Sequence, residues 1–185
     1  ERAFVVTSSL PGEGKTVTAI NLAVTLAEVQ QRVCLVEADL RRPRIGEYVG
    51  LEDAVGLTDV LIDSYSLADV TQNWRPGLDV VLAGSIPPNP SDLLASARMD
   101  EVIAELSAAY DVVLIDAPPL LPVTDAALIA KRCAGALVLV GWGRKAVTRA
   151  ELEGVLEGLQ TVGARVLGVI LNKLPIKGPN AVRAS

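Results

Sequence analysis

Histidine is absent from this 185-residue chain, and aromatic residues make up only 3% of it. Without histidine there is no serine–histidine triad and no imidazole proton shuttle, so proton transfer has to use carboxylates, lysine or water. Cysteine is scarce: Cys34 lies inside the apolar run 33–36, Cys133 follows a helical stretch, and neither has metal-ligand spacing around it. Two distant thiols exclude a disulfide framework and suit a reducing, cytoplasmic setting. No run of about 18 apolar residues occurs and no signal-peptide pattern opens the chain, so no segment reads as a membrane span or a leader. Acids outnumber bases and the formal net charge is −5. That balance argues against a broad nucleic-acid-binding face, and nucleic acid is not an expected partner.

Half of the residues are hydrophobic, enough for one compact α/β domain with a full core. The chain opens at Glu1 directly on a strand-like run and reads as a domain of a longer protein. Short apolar runs alternate with helical patterns, the sign of a mostly parallel sheet with helices on both faces. Strands are expected near Ala3–Thr7, Val33–Glu37, Leu78–Leu82, Asp111–Ile115, Gly135–Val140 and Val166–Leu171. Their continuous apolar character suits burial on both sides. The helix Lys15–Gln30 is apolar nearly all round and is expected to be buried. Met99, Ile103, Leu106 and Tyr110 mark one face of a helix after Ser91. Thr148 and Glu151 form a capping-box pair for a helix that ends at Gly163. The domain is expected to span residues 1–174, with 175–185 an aperiodic, flexible tail.

The segment Val5 to Thr16 reads as strand, tight loop and helix start. It fits G-x-x-x-x-G-K-[ST], except that Ser9 holds the first position. Gly12 and Gly14 let backbone N–H groups approach phosphate oxygens, and the following helix presents its free N–H groups and positive dipole end. Lys15 is placed for the β- and γ-phosphates and Thr16 for Mg²⁺. Pro11, Gly12, Glu13, Gly14, Lys15, Thr16 and Val17 are therefore the expected nucleotide contacts. This identifies a P-loop NTPase fold that takes ATP or ADP with Mg²⁺.

Two strand ends carry acids. Asp116, in Leu114-Ile115-Asp116-Ala117-Pro118-Pro119, is expected to face the Mg²⁺ shell. Glu37 and Asp39 are two apart, so in an extended chain they project to one side. Their repulsion would be offset by a cation beside them, for which Mg²⁺, Lys15 and Arg41 are all available. Asn172-Lys173 ends the last strand like the start of a guanine-reading N-K-x-D, but Pro175 stands where the acid would be. Asn172 is accordingly expected to meet an adenine edge.

These residues resemble the cytoplasmic kinase domain of the bacterial tyrosine kinases. The resemblance spans roughly Ala3 to Lys173. It rests on Ser8–Thr16, on Glu37-Ala38-Asp39-Leu40-Arg41 and on Leu114–Pro119. Further matches are Gly56–Leu61, Pro87–Leu94 and Val123–Ala126. Of these, Pro-Pro-Asn-Pro-Ser-Asp-Leu-Leu is the most specific, and Ser91 in it also reads as a helix cap. The resemblance implies an ATP:protein-tyrosine phosphotransferase in polysaccharide export, with Lys15, Glu37, Asp39 and Asp116 as catalytic residues and Thr16, Asp39 and Asp116 on the metal side. Glu37 stands where the family has the aspartate usually considered the base. The resemblance also implies a membrane activator or polysaccharide co-polymerase segment outside this chain and a tyrosine-containing tail supplied in trans. It further implies a homo-oligomer in the full-length protein, at the inner face of the cell membrane. Two alternatives stand beside it. One is a catalytically weak nucleotide-binding regulator of polysaccharide export. The other is a positioning ATPase of the septum-site or plasmid-partition type, whose additional loop lysine is replaced here by Leu10.

Overall fold

The computed structural model describes residues 2–121, 124–143 and 147–175. In chain order the elements are β1 (Ala3–Ser8), α1 (Lys15–Glu28), β2 (Val33–Glu37), α2 (Ile45–Val49), α3 (Leu57–Leu61), α4 (Leu67–Val70), β3 (Thr71–Arg75) and β4 (Leu78–Val81). They continue with α5 (Pro90–Leu94), α6 (Ala97–Ala109), β5 (Val112–Asp116), α7 (Asp125–Ala130), β6 (Gly135–Gly141), α8 (Arg149–Thr161) and β7 (Val166–Asn172). The strands form one sheet in the order β3-β4-β2-β5-β1-β6-β7. Every pair is parallel except β3 with β4.

The six expected strands are all present, and β3 is an additional one. Its sequence, Thr-Gln-Asn-Trp-Arg, has no apolar run because it is a partly exposed edge with one neighbour. The local signal was Pro76-Gly77, where Gly77 at φ +77° closes the hairpin to β4. One side of the sheet packs on α1 and α2 through Ala19, Ile20, Ala23 and Ile45. The other side packs on α3, α4, α6, α7 and α8, with Met99, Leu106, Ile129 and Leu159 among its buried side chains. Helix α1 differs from expectation. Only one of its faces is buried, and Val17 and the following Val29 are exposed, because the helix lies on the sheet with solvent on its outer side. The expected helix after Ser91 is two, with Ser96 capping the second by accepting from the Met99 N–H at 3.4 Å. The capping box of Thr148 and Glu151 is formed as expected. Val123 and residues 176–185 of the expected tail lie outside the described residues.

Strand β1 sits between β5 and β6, and its partners position the loops that follow. Val6 is in register with Asp116, and Glu37 with Asp116, so β1, β2 and β5 end at the same edge of the sheet. In open parallel sheets that edge, at strands whose connections leave in opposite directions, is where a ligand crevice forms. The loops are then sewn together: Ala38 N–H donates to Asp116 O at 2.9 Å, and Leu120 N–H to Ser8 O at 2.9 Å. The Thr7 hydroxyl donates to Pro118 O at 2.7 Å.

Glu37 serves this framework. Its carboxylate is fully buried and accepts from the N–H groups of Arg44, Ile45 (2.6 Å) and Ala83 (3.3 Å). It thereby ties the end of β2 to the entry of α2 and to the chain leaving β4. Burial lifts its pKa to about 7, against the lowering effect of the three N–H donors.

Chemical denaturation of three variants, and its pH dependence in a fourth, checks this framework. Gly56→Ala should lower stability by about 3 kcal/mol or more, because its Cβ would lie 2.2 Å from Leu82 O and 2.4 Å from Gly84 N. Gly158→Ala, with open space around the added carbon, should raise stability by about 0.5–1 kcal/mol. Glu37→Ala should cost about 3 kcal/mol or more by leaving buried N–H groups unpaired. The folded carboxyl holds its proton more tightly than the unfolded one, so ionisation between the ordinary 4.5 and about 7 disfavours the folded state. Wild-type stability relative to Glu37→Gln should therefore fall as pH rises through that window and level off above it. A flat difference across the window would show that Glu37 is ionised in both states.

Candidate functional site

The loop between β1 and α1 has the local geometry that phosphate binding needs. Gly12 at φ +81° and Gly14 at φ +98° take left-handed conformations that a side chain would resist. Gly14 is also the N-cap of α1, so the free N–H groups of the helix open onto the loop. Glu13 is a brace: its carboxylate accepts from Leu10 N–H at 2.7 Å and Gly141 N–H at 2.9 Å, which fixes the loop against β6. Its side chain is thus turned away from the ligand side expected for it. Ser9 is fully buried, and its hydroxyl finds no hydrogen-bond partner among the described residues.

A cleft of about 530 Å³ lies over this loop. Pro11, Gly12, Gly14, Lys15, Thr16 and Val17 form its floor, and Asp39, Arg41, Arg42, Arg44 and Tyr48 form one wall. Pro118, Pro119 and Lys173 complete it. At its centre the Lys15 ammonium stands 2.9 Å from Asp39 and 3.3 Å from Asp116. The Thr16 hydroxyl donates to Asp116 at 2.7 Å. Burial pulls the Lys15 pKa down, but Asp116 and Asp39 more than offset it and leave it above the ordinary value. Asp116 is almost wholly buried, and desolvation lifts its carboxyl to about 6 in spite of Lys15 and Thr16. Of the cations open to the acid pair, Lys15 is the one beside Asp39.

Two expected positions differ. Glu37 and Asp39 do not project together: β2 ends at Glu37, the chain turns, and only Asp39 reaches the cleft. Period-two alternation holds only while the chain stays extended. Asn172 sits behind the P-loop, where its amide donates to Glu13 O at 2.9 Å and its oxygen accepts from Lys173 N–H at 2.8 Å. It braces the loop, while Lys173, beside it, faces the cleft and donates to Gly12 O.

Three motif segments that the sequence left apart meet at the cleft wall. The Arg41 Nε donates to Asp125 at 2.7 Å, its Nη2 donates to the Ser91 hydroxyl at 2.9 Å, and that hydroxyl donates to Asp125 at 2.6 Å. Ser91 is therefore not the cap of α5, a position held by Asn89. Sequence reasoning also missed Arg44 and Tyr48. Their only signal was proximity to Asp39, five and nine residues on.

The donor set fits Mg²⁺. Thr16 and Asp116 supply hard oxygens in mutual contact, with neither imidazole nor thiolate beside them, and Mg²⁺ takes one or two carboxylates together with substrate phosphates. Among the described residues no cluster of three potential ligands could hold a metal by itself.

Comparison with known proteins agrees with this geometry. The sequence model of the AAA_31 family, an AAA domain, matches residues 2–134. Tyrosine-protein kinase YwqD of Bacillus subtilis is 39% identical over 172 residues, covering 92% of this chain and 72% of that protein. Tyrosine-protein kinase wzc of Salmonella typhimurium is 38% identical over 173 residues, which are 92% of this chain but only 24% of that protein. The kinase domain of the Escherichia coli tyrosine kinase ETK superposes with a TM-score of 0.91 at 30% identity, over 100% of this chain and 72% of that one. The seven-stranded sheet is a P-loop nucleotide-binding fold, and the chain belongs to the bacterial tyrosine-kinase family as its kinase domain.

Proposed function

We propose that this domain transfers the γ-phosphate of Mg-ATP to a tyrosine hydroxyl, in a protein that regulates polysaccharide polymerisation and export. The observation that carries the reading is the Lys15 ammonium held between Asp39 and Asp116 beside the Thr16 hydroxyl. The P-loop amides and Lys15 bind the β- and γ-phosphates, while Thr16 and Asp116, with Asp39 beside them, would hold Mg²⁺. When bound, the metal neutralises charge on the phosphate oxygens. As the phosphates arrive, Lys15 exchanges its carboxylate partners for phosphate oxygens.

The acceptor is a tyrosine-containing tail in trans, and the activator is a membrane segment outside this chain. Transfer forms a bond from the phenol oxygen to the γ-phosphorus and breaks the bond from that phosphorus to the β–γ bridging oxygen, whose electron pair leaves with ADP. The phenol proton goes to Asp39, the carboxylate that lines the cleft. Glu37, with its oxygens committed to backbone N–H groups, is a framework residue in this reading. Its withdrawal from the cleft also favours the second reading, a nucleotide-binding regulator with weak catalysis.

Calorimetry should show Mg-ATP affinity falling at least ~100-fold in Lys15→Met, because a neutral side chain cannot offset phosphate charge. Unchanged affinity would remove the site assignment. Single-turnover transfer to a tyrosine tail, with the activator present, should drop about a hundredfold or more in Asp39→Asn and persist in folded Glu37→Gln. Equal rates for wild type and Asp39→Asn would eliminate Asp39 as base. No transfer by wild type would leave the regulator reading.

A further inference from the structure

The Arg41–Ser91–Asp125 cluster is more than a tie between loops. Asp125 is 1% exposed, and a buried carboxylate needs a cation and hydrogen bonds to offset lost hydration. Stability alone is a poor reason to bury an ion pair, since apolar side chains of similar volume serve as well or better. The form of this pair is informative. Arg41 is planar with five N–H groups, and the cluster engages only its Nε and Nη2 edge. Nη1 has no partner among the described residues, while the side chain remains 39% exposed and lines the nucleotide cleft two residues from Asp39.

Ser91 completes the arrangement. Its hydroxyl accepts from Arg41 and donates to Asp125, so the guanidinium is fixed by two anchors instead of one. The three side chains come from the loop after β2, from α5 and from the start of α7. Each anchor is built by a different part of the fold, and the orientation of Arg41 is set before any ligand arrives.

We propose that Ser91 and Asp125 are positioning residues for phosphoryl transfer, holding Arg41 so that its Nη1 edge meets the anionic oxygens of the group being transferred. The proposal rests on the kinase reading above. Arginine suits the task because its fork offers one edge to the protein and the other to an oxyanion, which lysine cannot do. A transferring phosphoryl group spreads its charge over three oxygens, and a preset cation there acts on the transition state more than on the bound nucleotide.

The test uses the full-length protein with its activator segment and a tyrosine tail, comparing wild type with Ser91→Ala, Ser91→Thr and Arg41→Lys. Ser91→Ala should lower single-turnover transfer about tenfold or more while Mg-ATP affinity stays within about twofold, because a displacement of ~1 Å at the reacting centre costs on the order of a hundredfold. Ser91→Thr, which restores the hydroxyl, should recover transfer, and Arg41→Lys should not. In parallel, Arg41 should react faster with phenylglyoxal in Ser91→Ala, as followed by mass spectrometry. Transfer by Ser91→Ala at the wild-type rate overturns the proposal and leaves the kinase reading intact. A loss of transfer matched by an equal loss of nucleotide affinity also overturns it, since the role is then structural. A wild type that transfers no phosphate overturns both.

Discussion

One ammonium group organises the site. Lys15 stands between two carboxylates from separate strand ends, and without it Asp39 and Asp116 would face each other across a nearly dry space. The ammonium between them offsets the repulsion of two like charges. The loop geometry serves this contact. Gly12 and Gly14 bend the chain so that α1 begins at Lys15, Glu13 pins the loop to β6, and Asn172 holds it from behind. The same contact explains how ligand binding is coupled to the site's charge. In the proposed reaction, phosphates that drew Lys15 away would uncover two acids, which a divalent cation would then offset.

The residues of the proposed phosphate loop were legible because their chemistry is local. A strand, two glycines, a lysine and a threonine within a dozen positions leave little freedom, and Asp116 followed from an apolar run ending in an acid. What failed was direction. Glu37 was read as Asp39's neighbour in an extended chain, but β2 stops there, and its longer side chain turns to the amides of α2. Glu13 and Asn172 were read as nucleotide contacts, yet their side chains hold the loop instead of facing the cleft. The edge strand β3 escaped because half-exposed strands need no apolar run.

The meeting of Arg41, Ser91 and Asp125 was invisible for a different reason. Each lay in a motif quoted for its resemblance, but separations of 50 and 84 residues carry no sequence signal of contact. Ser91 looked like a helix cap because serine at the start of a helical segment usually is one. Its actual partner is decided by tertiary packing, which brings α7 beneath the loop after β2. The proline-rich segment thus gains a role in the cleft wall beyond that of a connector.

The central place of β1 has a consequence for synthesis on the ribosome. Its hydrogen-bonding partners are β5 and β6, and β5 does not begin until Val112. At about 5–20 residues per second, β1 would wait roughly 5–20 s before its first partner is made. Throughout that interval the P-loop and Lys15 exist without Asp116. The nucleotide site therefore cannot close around a ligand in the nascent chain until more than half of the domain has been translated, and nucleotide can stabilise only the late stages of folding.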